Sequence, residues 1–273
     1  MNALVEMFSY SFMIRALVVG VLISVVSALV GVSLVFRRNS MIGDGLSHTA
    51  FGAFAVATAL GFAPLWFALP VVVLVSFLVL KLSKNRKIGG DAAIALLSAS
   101  SLAVGTLAIS VVKGVNIDLN SYLFGSILSV GWSDVWLSLV LAVIVIILYI
   151  LAYHRIFAIT FDEEFARSVG VKTGVYDMIF SAICSIVVVL GMRLLGALLI
   201  SSLIIFPALI AMNFAKSFKK VVFLSAVISV ITFTLGLIAS YLLATPTGAT
   251  VVLVNLLALC AVKLIRLMTS HMI

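Results

Sequence analysis

The sequence predicts an all-α integral membrane protein of eight or nine transmembrane helices, and three observations predict it. Of the 273 residues, 64% are hydrophobic and 10% charged, with a mean hydropathy of +1.38, whereas soluble domains carry about a quarter charged residues. Apolar runs of about twenty residues, the length that crosses the hydrocarbon core as a helix, follow one another along the whole chain. Basic residues gather in short clusters between those runs, so the net charge of +8 reads as the positive-inside pattern and not as a nucleic-acid-binding face. The whole chain, 1–273, reads as a single transmembrane domain.

Residues 1–11 form a short interfacial segment with Phe8 and Tyr10, and Phe12 just beyond it, suited to the headgroups. Glu6, with no basic residue before Arg15, argues against a cleavable signal peptide. Span one, 14–36, ends at Arg37-Arg38, which marks the cytoplasmic side. Asn39 or Ser40 caps span two, 41–60, and Gly61 with Pro64 turns the chain into span three, 64–82, which runs into Lys81, Lys84, Arg86 and Lys87. Span four, 91–112, starts at Asp91 after Gly89-Gly90. The less hydrophobic stretch 115–132 reads as an external loop or a re-entrant half-helix lying on protein. Span five, 133–153, returns to the cytoplasm at His154-Arg155. The apolar region 174–213 divides into spans six and seven near Arg193–Gly196; span eight covers 221–243, and Thr245–Gly248 turns it into span nine, 249–267. On this layout only Arg15, Lys113 and Arg193 of the 17 Lys and Arg residues lie outside, which places the N-terminus outside and the C-terminus inside.

Span two carries the unusual chemistry. Asp44 and His48 are four residues apart, hence on one helix face, where they either hold a cation between them or hydrogen-bond within the bundle. An ionisable pair in a membrane span is costly and marks a functional site by default. Beside it Gly45, Thr49, Ala53 and Ala57 form a small-residue stripe for close helix packing. Asp91, Asp134 and Asp177 stand at helix starts, where an acid favours the dipole, and read as structural. Cys184 and Cys260 lie in apolar runs with no CxxC spacing, so they read as packing residues.

The cytoplasmic segment 154–172 contains a second signal. Thr160 and Glu163 have capping-box spacing, Glu163 and Glu164 fill a first turn, Arg167 a last turn, and Gly170 closes the C-terminus. A helix of about nine residues is marginal alone in water. It therefore packs on the bundle through Phe161, Phe165, Ala166 and Val169, or it docks in a cytoplasmic partner with Glu163, Glu164 and Arg167 at the rim.

Several blocks occur in a fixed order: Arg37-Arg38, Gly43-Asp44-x-Leu46-Ser47-His48, Ser121–Gly125, Asp162-Glu163-x-Phe165-Ala166-Arg167-x-x-Gly170, Leu194-Leu195-x-Ala197–Ile200, Pro207-Ala208 and Pro246-x-Gly248-Ala249-Thr250. Over residues 10–265 the chain resembles the permease subunits of bacterial ATP-binding-cassette importers for zinc and manganese. That resemblance implies a type II ABC importer permease bundle in the cytoplasmic membrane. It implies a homodimer, two cytoplasmic ABC ATPase subunits and an extracellular metal-binding lipoprotein. It also implies that Glu163, Glu164, Phe165, Arg167 and Gly170 belong to a coupling helix seated on the ATPase. Two departures stand out. Some members, often those associated with manganese, have proline where this chain has Gly52, and many have an acid where it has Ala244.

Carboxylate and imidazole suit Zn²⁺ or Mn²⁺ as transported substrate, whereas Cu(I) would call for Met or Cys. Two ligands leave an ion incomplete; the second protomer, water or Asp118 would supply the rest, Asp118 being the weakest of these because it reads first as a solvated loop acid or helix cap. Incomplete ligation suits a carrier, which must release what it binds. Competing readings are a permease for a metal chelate (siderophore or cobalamin), a self-sufficient secondary metal transporter, and an intramembrane metalloprotease. The last needs an HExxH-like helix that the chain lacks, and no GxxxxGK[ST] loop is present, so ATP hydrolysis falls to a separate subunit. Zinc is favoured over manganese on Gly52 and the form of the Gly-Asp-Gly-Leu-Ser-His block.

Overall fold

The computed structural model describes residues 3–83, 90–112, 119–125 and 130–270, and every element among them is a helix. In order these are α1 (Ala3–Ser9), α2 (Ser11–Phe36), α3 (Met41–Ala59), α4 (Pro64–Ser83), α5 (Gly90–Val111), α6 (Leu119–Phe124), α7 (Trp132–Phe161), α8 (Glu163–Ser168), α9 (Thr173–Leu195), α10 (Ala197–Phe214), α11 (Phe218–Leu243) and α12 (Thr247–Ser270). Asp118 lies outside the described residues.

Eight of these helices are long and apolar enough to cross a membrane. The long helix that fails on composition is α3, the one bearing Asp44 and His48. Its position explains the difference: α3 is packed on α4, α5, α9 and α10, so most of its surface meets protein and needs no hydrocarbon character. Counted as a ninth crossing, α3 satisfies the odd parity required by an N-terminus outside and a C-terminus inside. The most buried helices are α2, α3, α9 and α10, while α4, α5, α7 and α12 turn most of their apolar surface outward, as a lipid-facing shell does.

Close approach of α3 to α5 is made by glycine. A Cβ on Gly45 would lie 2.5 Å from Ile94 Cγ2, and one on Gly52 would lie 2.4 Å from the Ser101 carbonyl oxygen. The Thr49 hydroxyl meets Ser101 Oγ at 3.4 Å in the same seam. The stripe is therefore Gly45, Thr49 and Gly52, with Ala53 and Ala57 buried beside it. A strict spacing of four drifts by about 40° per step around a helix of 3.6 residues per turn, which is why the seam leaves Ala53 for Gly52.

Within 115–132 the described part is a short helix laid on protein. Tyr122 of α6 stacks on Phe54 at 5.6 Å and meets Phe51 edge-on. Gly125 (φ +77°) abuts the helix break at Gly196 (φ +93°), where a Cβ on Gly125 would fall 2.3 Å from the Leu195 carbonyl oxygen. Gly248, in the first turn of α12, approaches the Phe124 carbonyl just as closely.

Two boundaries differ from expectation. First, α7 does not stop at residue 153 but runs thirty residues to Phe161, carrying 154–161 as helix. Second, Thr160 is inside α7 and is not the cap of the next helix. Asp162 is: it is extended, and its Oδ1 accepts from the Phe165 amide at 2.8 Å. A carboxylate at this position satisfies an orphan amide and faces the positive helix end, so α8 begins at Glu163 and is six residues long.

Candidate metal site

Asp44 stands in the first turn of α3 and His48 one turn on. Asp44 Oδ2 and His48 Nε2 face each other at 3.6 Å. Two ligands each ~2.1 Å from a tetrahedral ion sit about 3.4 Å apart, so the pair needs little adjustment to share one. Its partial side-chain exposure, 41% for Asp44 and 26% for His48, leaves it accessible. The other imidazole nitrogen, Nδ1, is buried without a hydrogen-bond partner among the described residues.

A third residue joins the pair from a distant helix. Ser201 of α10 donates to Asp44 Oδ1 at 3.2 Å and also to the Ala197 carbonyl at 3.1 Å. The two carboxylate oxygens thus divide their work, Oδ1 accepting from a hydroxyl and Oδ2 facing the imidazole. Only the polar Ser201-Ser202 pair in an apolar run could have hinted at it. No group of three or more His, Cys, Asp or Glu residues gathers at metal-binding distance among the described residues.

Just after α2, Arg37 joins three helices. Its Nη1 donates to Asp177 Oδ1 of α9 at 2.9 Å and its Nη2 to the Ile159 carbonyl of α7 at 3.5 Å. Toward the opposite end of α7, Asp134 accepts from the Gly131 amide and pairs with Arg193 at 3.4 Å. Asp134 stands in the first turn of α7, as expected, whereas Asp177 lies beyond the first turn of α9 and is held by Arg37 instead.

In α8 the arginine and acid pair within the helix, Arg167 Nη2 to Glu163 Oε1 at 2.9 Å. Ala166 is the residue buried against the bundle, while Phe165 and Val169 are 61% and 62% exposed. Gly170 closes the segment at φ +85°, its amide donating to the Arg167 carbonyl. Thus α8 is fastened by its small side and presents its large apolar side chains outward.

A family model described as the ABC 3 transport family matches residues 9–266. The chain belongs to that family. It is 30% identical to the manganese import system permease protein ScaB of Streptococcus gordonii, over 91% of this chain and 89% of that protein. It is 27% identical to the high-affinity zinc uptake system membrane protein ZnuB of Haemophilus influenzae, over 89% of this chain and 94% of that one. Among solved structures it resembles PsaBC from Streptococcus pneumoniae in complex with Fab, with a TM-score of 0.85, 27% identity and 95% of each chain covered. Family membership and the eight apolar helices make this ABC-3 protein a multi-pass membrane protein of transport.

Proposed function

We propose that this ABC-3 chain is the membrane-spanning permease subunit of an importer for divalent transition metal ions, zinc foremost and manganese second. The observation that carries the reading is the Asp44–His48 pair on α3, open on one side and spaced for a shared ion. One carboxylate and one imidazole supply two ligands, and a second copy of the chain, brought up against the accessible side of the pair, supplies the others by symmetry. Both relatives named above carry metal by their names, one manganese and one zinc. Gly52 favours zinc only through the resemblance; in this fold it is held by lack of room beneath the Ser101 carbonyl.

ATP hydrolysis belongs to cytoplasmic partner subunits on this reading, with α8 as the segment they grip and a metal-binding lipoprotein delivering the ion from outside. The test is uptake by the reconstituted complex of radioactive zinc, with manganese and other divalent ions as competitors. Zinc taken up in an ATP-dependent manner and displaced only by excess manganese supports the reading. Uptake of a metal chelate with none of the free ions would overturn it.

A further inference from the structure

One cleft lies remote from the Asp44–His48 pair. Val30 and Ser33 of α2, with Arg37 just after it, floor the cleft, and its walls are α7 and α9, which both pack on α2 but meet each other sparsely. Its volume is about 180 Å³. The walls are apolar along most of their length, with Leu148, Ala152 and Ile156 facing Ile179, Phe180 and Ile183.

Polar groups collect at one end. There the Arg37 charge is committed to Asp177. Arg155 is not so committed: its guanidinium lies 5.3 Å from the Tyr176 ring centroid and donates to the Tyr176 hydroxyl, with no carboxylate in ion-pair reach among the described residues. Thr160 Oγ1, also in the lining, is buried without a hydrogen-bond partner among the described residues. A cationic fork and a hydroxyl at the mouth of a hydrocarbon slot match a phosphate ester with an acyl chain.

Depth agrees with that match. Arg155 is 23 residues along α7 from Trp132, about 35 Å at 1.5 Å per residue. With Trp132 at the outer interface this brings Arg155 to the inner headgroups, where anionic lipids concentrate. We propose that the α2–α7–α9 cleft binds one anionic phospholipid of the cytoplasmic leaflet, its phosphate on Arg155 and its acyl chain between α7 and α9. The bound lipid ties the last turns of α7, which lead directly into α8, to α9. The proposal rests on the membrane orientation read from the basic residues and is independent of the metal pair.

Native mass spectrometry of the full chain, purified with any subunits it brings along and titrated with dioleoyl phosphatidylglycerol or dioleoyl phosphatidylcholine, tests it. The expected result is one tightly retained phosphatidylglycerol per protomer, bound at least fivefold more tightly than phosphatidylcholine. Arg155→Gln, at an exposed position, is expected to remove that preference, and Ala152→Phe, which fills the slot, to remove retention of either lipid. Should Ala152→Phe fail to fold, Arg155→Gln decides alone. Equal retention of both lipids by the unmodified chain, or an unchanged preference in Arg155→Gln, overturns the proposal. So does competition by soluble glycerol 3-phosphate at equal phosphate concentration, which would make the site one for free phosphate. Disulfide cross-linking of Leu151→Cys between two copies in membranes overturns it as well, because the cleft would then be a subunit interface.

Discussion

Asp44 and His48 face each other across 3.6 Å, Oδ2 to Nε2, and Ser201 holds the other oxygen of the same carboxylate. On the proposed function, that relationship makes the two act together as ligands. Asp44→Ala and His48→Ala are each expected to abolish metal uptake while the protein still reaches the membrane in normal amount. Uptake at the unmodified rate in both variants would remove the pair from the path.

Ser201 is expected to act through Asp44. Supporting groups around metal ligands are commonly worth 10–100-fold in affinity, so Ser201→Ala should raise the half-saturating metal concentration by about that range with the maximal rate less affected. Ser201→Thr, which keeps the hydroxyl, should restore it. A change in maximal rate alone would show that Ser201 merely packs α10 on α3.

An imidazole ligates metal only when neutral. Uptake is therefore expected to fall as pH falls, because protons compete with the metal for His48. A His48→Gln variant with residual transport should show a flatter acid limb. An identical limb in that variant would assign the pH response to another group.

Reversal of charge in α8, with Glu163→Lys and Glu164→Lys together, should leave the unfolding midpoint in detergent nearly unchanged, since exposed ion pairs contribute about 0–1 kcal/mol. It should weaken co-purification of the ATPase or uncouple its hydrolysis from uptake. Phe165→Ala should do so more severely, because truncating a buried interface aromatic often costs ~2 kcal/mol or more. Normal ATPase association and metal-stimulated hydrolysis in all of these variants would leave α8 as a strap on the bundle.

Gly52→Ala probes the α3–α5 seam. The added methyl meets a backbone oxygen that no rotamer change can move, so a destabilisation of about 1–3 kcal/mol is expected, the usual cost of overpacking. Thermal unfolding in detergent measures it, and an unchanged midpoint would mean that the two helices slide apart freely.

Nearly all of the helices were legible in the sequence because hydrocarbon length is imposed on them one at a time. The juxtaposition of Asp44 and His48 was legible for the converse reason, since an acid and a histidine in an apolar run stand out wherever they occur. What joins distant segments was hidden. Ser201 lies 157 positions from Asp44, and a serine in a membrane helix ordinarily satisfies itself on its own backbone, so its second acceptor leaves no local trace. The end of α7 was misplaced because His154-Arg155 marks where the membrane stops, whereas a helix continues until something caps the next one. Asp162 does that, and it competes with an equally plausible cap at Thr160 that only the backbone of α7 rules out.

The length of α7 has a consequence for reach. Thirty residues extend about 45 Å, close to the full depth of a bilayer with its headgroups, ~40–45 Å. A helix starting at the outer interface and standing near the membrane normal thus delivers α8 to the aqueous edge of the inner headgroups. A water-soluble protein can clasp Phe165 there without shedding its own hydration against lipid, and the permease need not unfold any part of its bundle to be grasped.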